Sequence, residues 1–262
     1  MSENDTAKRR KGIYLLPNLF TTATLFGGFY AIVASIGGRY GMAAIAVFAA
    51  MFADALDGRV ARLTNTQSDF GKEYDSLADL VTFGLAASLM MYTWGLTSLA
   101  EVLPLGGKIA WLAAFIYVAA TALRLARFNV HTTLDGDKGH FFGLPSPTAA
   151  ALVVGFVWVC HDYGLDRELM ALPALFVTLL AAGLMVSNVR YRSFKDLKLS
   201  ERVPFVYILI MVSLFVLVAF DPPRVLFGFA LAYTVSGPAV ALYNWRKRGG
   251  TTVEDDLAGP ED

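Results

Sequence analysis

The length of its apolar runs constrains this chain more than anything else. Residues 16–36, 42–62, 75–96, 108–128, 147–163, 168–187, 203–220 and 225–243 form eight mostly apolar stretches, the fifth the shortest. A helix needs about 20 such residues to cross a hydrocarbon core. The runs lack the period-2 alternation of barrel strands, and lipid admits only helices or closed barrels. The expected fold is therefore all-α: a polytopic membrane bundle of about eight transmembrane helices. Composition agrees, with 56% hydrophobic and only 17% charged residues, against about 25% charged in soluble domains. Residues 1–245 read as one transmembrane domain. The Gly-, Asp- and Glu-rich end, 246–262, reads as a disordered tail.

The formal net charge is zero, so only the distribution of charge is informative. If both termini lie in the cytoplasm, 18 of the 22 Lys and Arg residues fall on that side. Arg39, Lys108, Arg167 and Arg224 fall on the other. Such a bias orients membrane proteins with the basic loops inside. The basic segment Lys8–Lys11 precedes a helix expected to be retained, and could itself lie along an anionic lipid surface.

Other features have structural readings. Cys160 is the only cysteine, so no internal disulfide forms, and it reads as a buried hydrophobe. Trp94, Trp158 and Tyr243 fall near helix ends, as an interfacial belt requires. Pro238 is expected to kink the last helix. The small residues of "GGFYAIVASIGG" suit close helix packing. No internal repeat is evident.

Against this apolar background, "DALDGRVARLTNTQSDFGKEYDSLAD" (54–79) holds six acidic residues. Asp69 and Glu73 are expected to face water. Asp54 and Asp57 share one helix face, and Asp75 and Asp79 another, by their spacings of three and four. Turn formers between them end the second helix near Leu63 and start the third near Glu73. Two antiparallel helices would then bring four carboxylates together at the cytoplasmic edge. Each costs about 2.5–3.5 kcal/mol near hydrocarbon, and they repel one another. Hard cations such as Mg²⁺ relieve both costs, and paired metals suit displacement at phosphorus. Gly58 and Ala61 leave that face open, Arg62 offers a phosphate-binding fork, and Gly71 could fold the loop beneath the site.

The joint pattern D-x2-D-G-x2-A-R-x8-G-x3-D-x3-D resembles the signature of the CDP-alcohol phosphotransferases, membrane enzymes that join a CDP-linked donor to an alcohol and release CMP. The resemblance implies that Asp54, Asp57 and Asp75 bind metal, Mg²⁺ or Mn²⁺. It implies that Asp79 contacts the metal site and is the base for the acceptor hydroxyl. Gly58, Ala61, Arg62 and Gly71 would line the CDP-diacylglycerol site. "PNLFT" suggests Asn18 and Thr21 there too, and Ser68 a further polar contact. Members are commonly homodimers, which implies a homodimer here; the expected location of this chain is a bacterial-type inner membrane, with the site facing the cytoplasm.

"FGKEYDSLADLVTFG", "LRLARFNV", "FFGLPSP" and "VSNVRYRSFK" are similar to the membrane-integral phosphatidylserine synthases of that family; the last two helices add little. This implies L-serine as acceptor. Its carboxylate calls for an arginine, and Arg124, Arg127 and Arg190 are candidates, with Asn129 and Ser146 as polar neighbours. Arg127 stands out for its place beside Phe128 and Asn129. His131 and His140 lie in a loop nearby. Glycerol 3-phosphate, inositol phosphate or choline are alternative acceptors. A divalent-cation transporter is a different reading, but it should carry ionisable groups near mid-membrane and related halves. Nothing points to a nucleic-acid partner.

Overall fold

The structure, a computed structural model, describes residues 3–64, 68–134, 140–192 and 205–249. Each of the eight expected runs is helical over most of its described residues. The first two rods are α1 (Glu3–Ile36) and α2 (Tyr40–Leu63). A third combines α3 (Asp69–Asp79), a π-helical segment (Leu80–Ala86) and α4 (Ala87–Trp94). A 3₁₀ turn (Leu96–Ser98) and α5 (Leu99–Val102) lead to α6 (Gly106–Leu134). Then come α7 (Ser146–Asp162), α8 (Arg167–Val186), α9 (Phe205–Phe220) and α10 (Pro222–Gly249). Among the described residues, six segments are long and apolar enough to cross a membrane: Asn18–Ile36, Tyr40–Val60, Asp69–Trp94, Gly106–Val130, Arg167–Val186 and Pro222–Tyr243. α7 has 17 residues and α9 has 16, short of the usual span. The molecule is an all-α membrane bundle.

Local chemistry sets the connections. Gly38 (φ +72°) and Gly164 (φ +62°) turn the chain after α1 and α7, in the left-handed region that glycine enters without strain. Asp166 caps α8, its carboxylate accepting from the Glu168 N–H at 2.9 Å. α3 begins at Asp69, earlier than the expected start near Glu73. The reason is Ser68: its backbone is extended and its hydroxyl oxygen accepts from the Gly71 N–H at 3.0 Å, which makes it the helix cap. Gly71 is thus helical and not part of a folded-back loop.

Small residues let the rods approach. A Cβ on Gly27 would stand 2.9 Å from that of Ala50, and one on Gly28 would run into Thr82. The core between the rods is built from Phe83, Met90, Met91, Trp94, Tyr117 and many alanines. Two expectations are corrected here. Trp94 and Trp158 are not belt residues: Trp94 ends α4 fully buried, its ring edge-on to Phe156, and Trp158 is buried against Phe48. Their positions near helix ends coincide with inter-helix contacts, and burying a large ring there outweighs its interfacial preference. Tyr243 is exposed, as a belt residue would be, and Cys160 is buried.

Between α6 and α9 the chain adds an element that apolar periodicity does not announce. β1 (His140–Phe142) and β2 (Arg190–Arg192) pair antiparallel, with Phe141 opposite Tyr191. Gly143 (φ +82°) donates to the Val189 carbonyl at 2.8 Å and closes the ribbon. Tyr191 plugs it into α10. Its hydroxyl donates to the Thr234 carbonyl at 3.1 Å, its ring stacks on Tyr233, and Gly237 leaves room for that ring. α10 runs through Pro238 as one helix and continues over 246–249, residues assigned above to the tail. The rest of that expected tail, 250–262, lies outside the described residues.

Candidate active site

α2 ends and α3 begins at the same end of the bundle, so their carboxylates meet. One ligand oxygen each from Asp54, Asp57 and Asp75 lie within 4.8 Å of one another. The Asp79 carboxyl group lies beside that of Asp54. Asp57 and Asp79 are buried, at 5% and 8% exposure. α1 contributes Thr21, whose hydroxyl donates to Asp57 Oδ2 at 2.9 Å. Among the described residues, Asp75 Oδ1 and Asp79 Oδ1 are buried with no hydrogen-bond partner. A buried orphan acceptor costs free energy, and a buried charge must be paired or bound to metal. An all-oxygen carboxylate donor set of this kind fits a hard divalent cation.

The other expected donor-side residues surround this cluster unevenly. A Cβ on Gly58 would meet nothing within 4 Å, so the face beside Asp57 is open. Asn18 lies close to Gly71, its Oδ1 3.6 Å from where a Gly71 Cβ would stand. Ser68 is exposed at the head of α3. Asp69 and Glu73 are exposed, as expected. Ala61 and Arg62 lie in the last turn of α2, and their side chains are outside the described set.

The arginines separate in a way the sequence did not indicate. Arg124 faces the carboxylates: Asp79, Asp54 and Tyr233 lie within its electrostatic reach. Its Nη1 donates to Ser146 Oγ at 2.5 Å, and its guanidinium lies over the Phe128 ring at 5.7 Å. Arg127 is half-buried and donates to Asn188 Oδ1 at 2.8 Å. The Phe128 ring, noted above beside Arg127, thus carries the guanidinium of Arg124. Residues four apart share a helix face, whereas adjacent residues diverge by a large angle. Asn129 donates to Ser76 Oγ at 2.9 Å, and its carbonyl accepts from Lys72 Nζ at 3.1 Å, lashing α6 to the first turns of α3. Arg190 is in β2, paired with Phe142; its side chain and those of His131 and His140 are outside the described set. Tyr233 of α10 was not anticipated, because nothing in the last two helices carries a motif.

The comparisons with known proteins bear on this arrangement. A profile of the CDP-alcohol phosphatidyltransferase family matches residues 14–187. A CDP-diacylglycerol–serine O-phosphatidyltransferase from Helicobacter pylori is 39% identical over 224 residues, 85% of this chain and 90% of its own length. An archaetidylserine synthase from Methanothermobacter thermautotrophicus is 32% identical over 186 residues, 70% of this chain and 72% of its own. A CDP-diacylglycerol–serine O-phosphatidyltransferase from Methanocaldococcus jannaschii is 35% identical over 150 residues, 57% of this chain and 63% of its own. The matched region holds all four aspartates, Arg124 and Ser146. The chain belongs to the CDP-alcohol phosphatidyltransferase family.

Proposed function

We propose that this chain transfers the phosphatidyl group from CDP-diacylglycerol to L-serine, giving phosphatidylserine and CMP. The observation that carries the reading is the convergence of four carboxylates from α2 and α3, two with buried oxygens lacking partners. Asp54, Asp57 and Asp75 would hold divalent cations, with Asp79 at their edge. A bound Mg²⁺ or Mn²⁺ pair would offset the pyrophosphate charge and stabilise the departing CMP. Thr21 orients Asp57 through its hydrogen bond. Gly58 keeps the face beside Asp57 clear for the nucleotide, with Asn18, Ala61, Arg62, Ser68 and Gly71 around it.

Asp79 takes the proton of the serine hydroxyl, since a neutral alcohol is a weak nucleophile near pH 7. The serine oxygen bonds to the phosphorus carrying diacylglycerol. The bridging P–O bond breaks, and CMP leaves with its electron pair. Arg124, already aimed at the aspartates, is the arginine best placed for the serine carboxylate. A guanidinium has five donors, and Ser146 engages one nitrogen. Arg127, Asn129 and Arg190 then shape the outer wall. Basic residues concentrate at the aspartate end, which supports a cytoplasmic active site in a bacterial-type inner membrane. A homodimer, expected from the resemblance, is tested by the mass of the protein in detergent.

The experiment is CMP release from CDP-diacylglycerol by purified protein with Mg²⁺ or Mn²⁺. Serine, glycerol 3-phosphate, inositol phosphate and choline are supplied separately. CMP that requires both serine and metal is the expected result. CMP with another alcohol moves the acceptor assignment and leaves the site. Well-folded protein silent in every tube overturns the reading.

A further inference from the structure

Asp79 ends α3, and the next seven residues, Leu80–Ala86, wind as a π-helix. A π-segment has wider turns than an α-helix and is found frequently at functional sites. Val81, Thr82 and Gly84 are weak helix formers, so the local sequence does little to hold one helical form against another. Neighbouring helices grip the segment from both sides. On the α1 side, Thr82 donates to the Thr24 carbonyl at 2.9 Å, and Gly28 lets the two helices touch there. On the α6 side, the Tyr117 hydroxyl donates to the Phe83 carbonyl at 3.1 Å, and Thr121 packs on Gly84. Thr121, Thr178 and Thr234, buried elsewhere in the bundle, each bond a carbonyl four residues back in their own helix. Thr82 and Tyr117 instead tie the π-segment to its neighbours. Tyr117 is fully buried, in surroundings where a hydroxyl needs a partner.

The far side of the segment is anchored independently. Met90, Met91 and Trp94 are in the core, and Ser88 donates to the Ala114 carbonyl of α6 at 2.8 Å. If the π-segment relaxed to α-form, the resulting rotation, roughly 100° for one residue, would fall on the side of α3. Asp75 and Asp79 would swing away from Asp54 and Asp57.

We propose that Tyr117 is a positioning residue for the metal site: its bond to the Phe83 carbonyl holds Leu80–Ala86 in π-form and so sets the rotation at which Asp75 and Asp79 face the aspartates of α2. The inference rests on the reading that those aspartates bind divalent cations.

The test is Mn²⁺ binding to the full-length purified protein, followed by the spectroscopic signal of free Mn²⁺, without substrate. Tyr117→Phe removes one oxygen and keeps the ring. It is expected to weaken Mn²⁺ binding about threefold to tenfold, the range for one interhelical hydrogen bond in a membrane protein. Thr82→Val, losing the opposite grip, should do the same and carries the test if Tyr117→Phe does not fold. Ser88→Ala, which deletes a comparable bond beyond the segment, should bind Mn²⁺ as the parent does. Parent-like binding by a folded Tyr117→Phe, or by Thr82→Val where Tyr117→Phe does not fold, overturns the inference alone, as does equal weakening by Ser88→Ala. A parent protein that binds no Mn²⁺ overturns the metal reading and this inference with it.

Discussion

At the scale of single residues, the site is a set of crowded carboxylates, two of them buried and two half-buried. Four neighbouring carboxylates repel one another without a cation and, on the proposed reading, would become ligands with one. Asp75→Asn should therefore raise the thermal midpoint of the metal-free protein and abolish the stabilisation by added Mn²⁺. For the parent, that stabilisation is about 2.7 kcal/mol at metal one hundredfold over its Kd. Thermal scans in detergent with EDTA and with Mn²⁺ separate the two effects. Asp79→Asn should cut turnover by about 10²–10⁴-fold, the usual contribution of a general base, in the CMP assay. Arg124→Ala should raise the serine KM at least tenfold while Arg127→Ala changes it little, because Arg124 lies near Asp79 and Asp54 whereas Arg127 bonds Asn188. Equal effects from the two substitutions would remove Arg124 from the acceptor site.

At the scale of elements, the same type of residue does different work in different helices. Gly28 is a contact residue: a Cβ there would lie 2.8 Å from Thr82 Cα. Gly28→Ala should destabilise the protein by about 1–3 kcal/mol through overpacking. A Cβ on Gly58 would meet nothing within 4 Å, so Gly58→Ala should stabilise α2 by up to about 1 kcal/mol from helix propensity. The same change should impair CDP-diacylglycerol use, if the open face is kept for the nucleotide. Unfolding curves and donor KM values on the two variants check both halves. The acidic pattern and its helical placement were legible because spacings of three and four are local. The start of α3 at Asp69 was missed because a single capping hydroxyl, Ser68, recruited four more residues than the apolar pattern indicated.

At the scale of the molecule, the two ends of the bundle differ. The aspartate end carries the β1–β2 ribbon, locked to α10 by Tyr191. At the other end, Arg39, Arg167 and Arg224 each lie over a tyrosine ring, of Tyr30, Tyr40 and Tyr163. Removing the lock, Tyr191→Ala, should cost about 3–5 kcal/mol, as for other large buried rings, measured by unfolding in detergent. Orientation is testable in spheroplasts with a membrane-impermeant maleimide. Lys108→Cys, exposed at the arginine–tyrosine end, should label. Ser68→Cys, beside the aspartates, should stay unlabelled until the membrane is opened.

By itself the sequence determined that this chain is a bundle of membrane helices, which end holds its basic residues, and that four aspartates share one site. Each of these follows from residues close in sequence, through run length, charge bias and helical spacing. Only the tertiary structure decided which arginine lies near Asp54 and Asp79, that Tyr233 of α10 lies near that arginine, and that "FFGLPSP" and "VSNVRYRSFK" join in a ribbon. It also decided that the helix carrying Asp75 and Asp79 passes into a π-segment. Those outcomes depend on contacts between residues tens of positions apart, such as Tyr117 with Phe83 and Tyr191 with Thr234. No local periodicity encodes them, because they arise only when packed neighbours offer a partner to a group that lipid would leave bare.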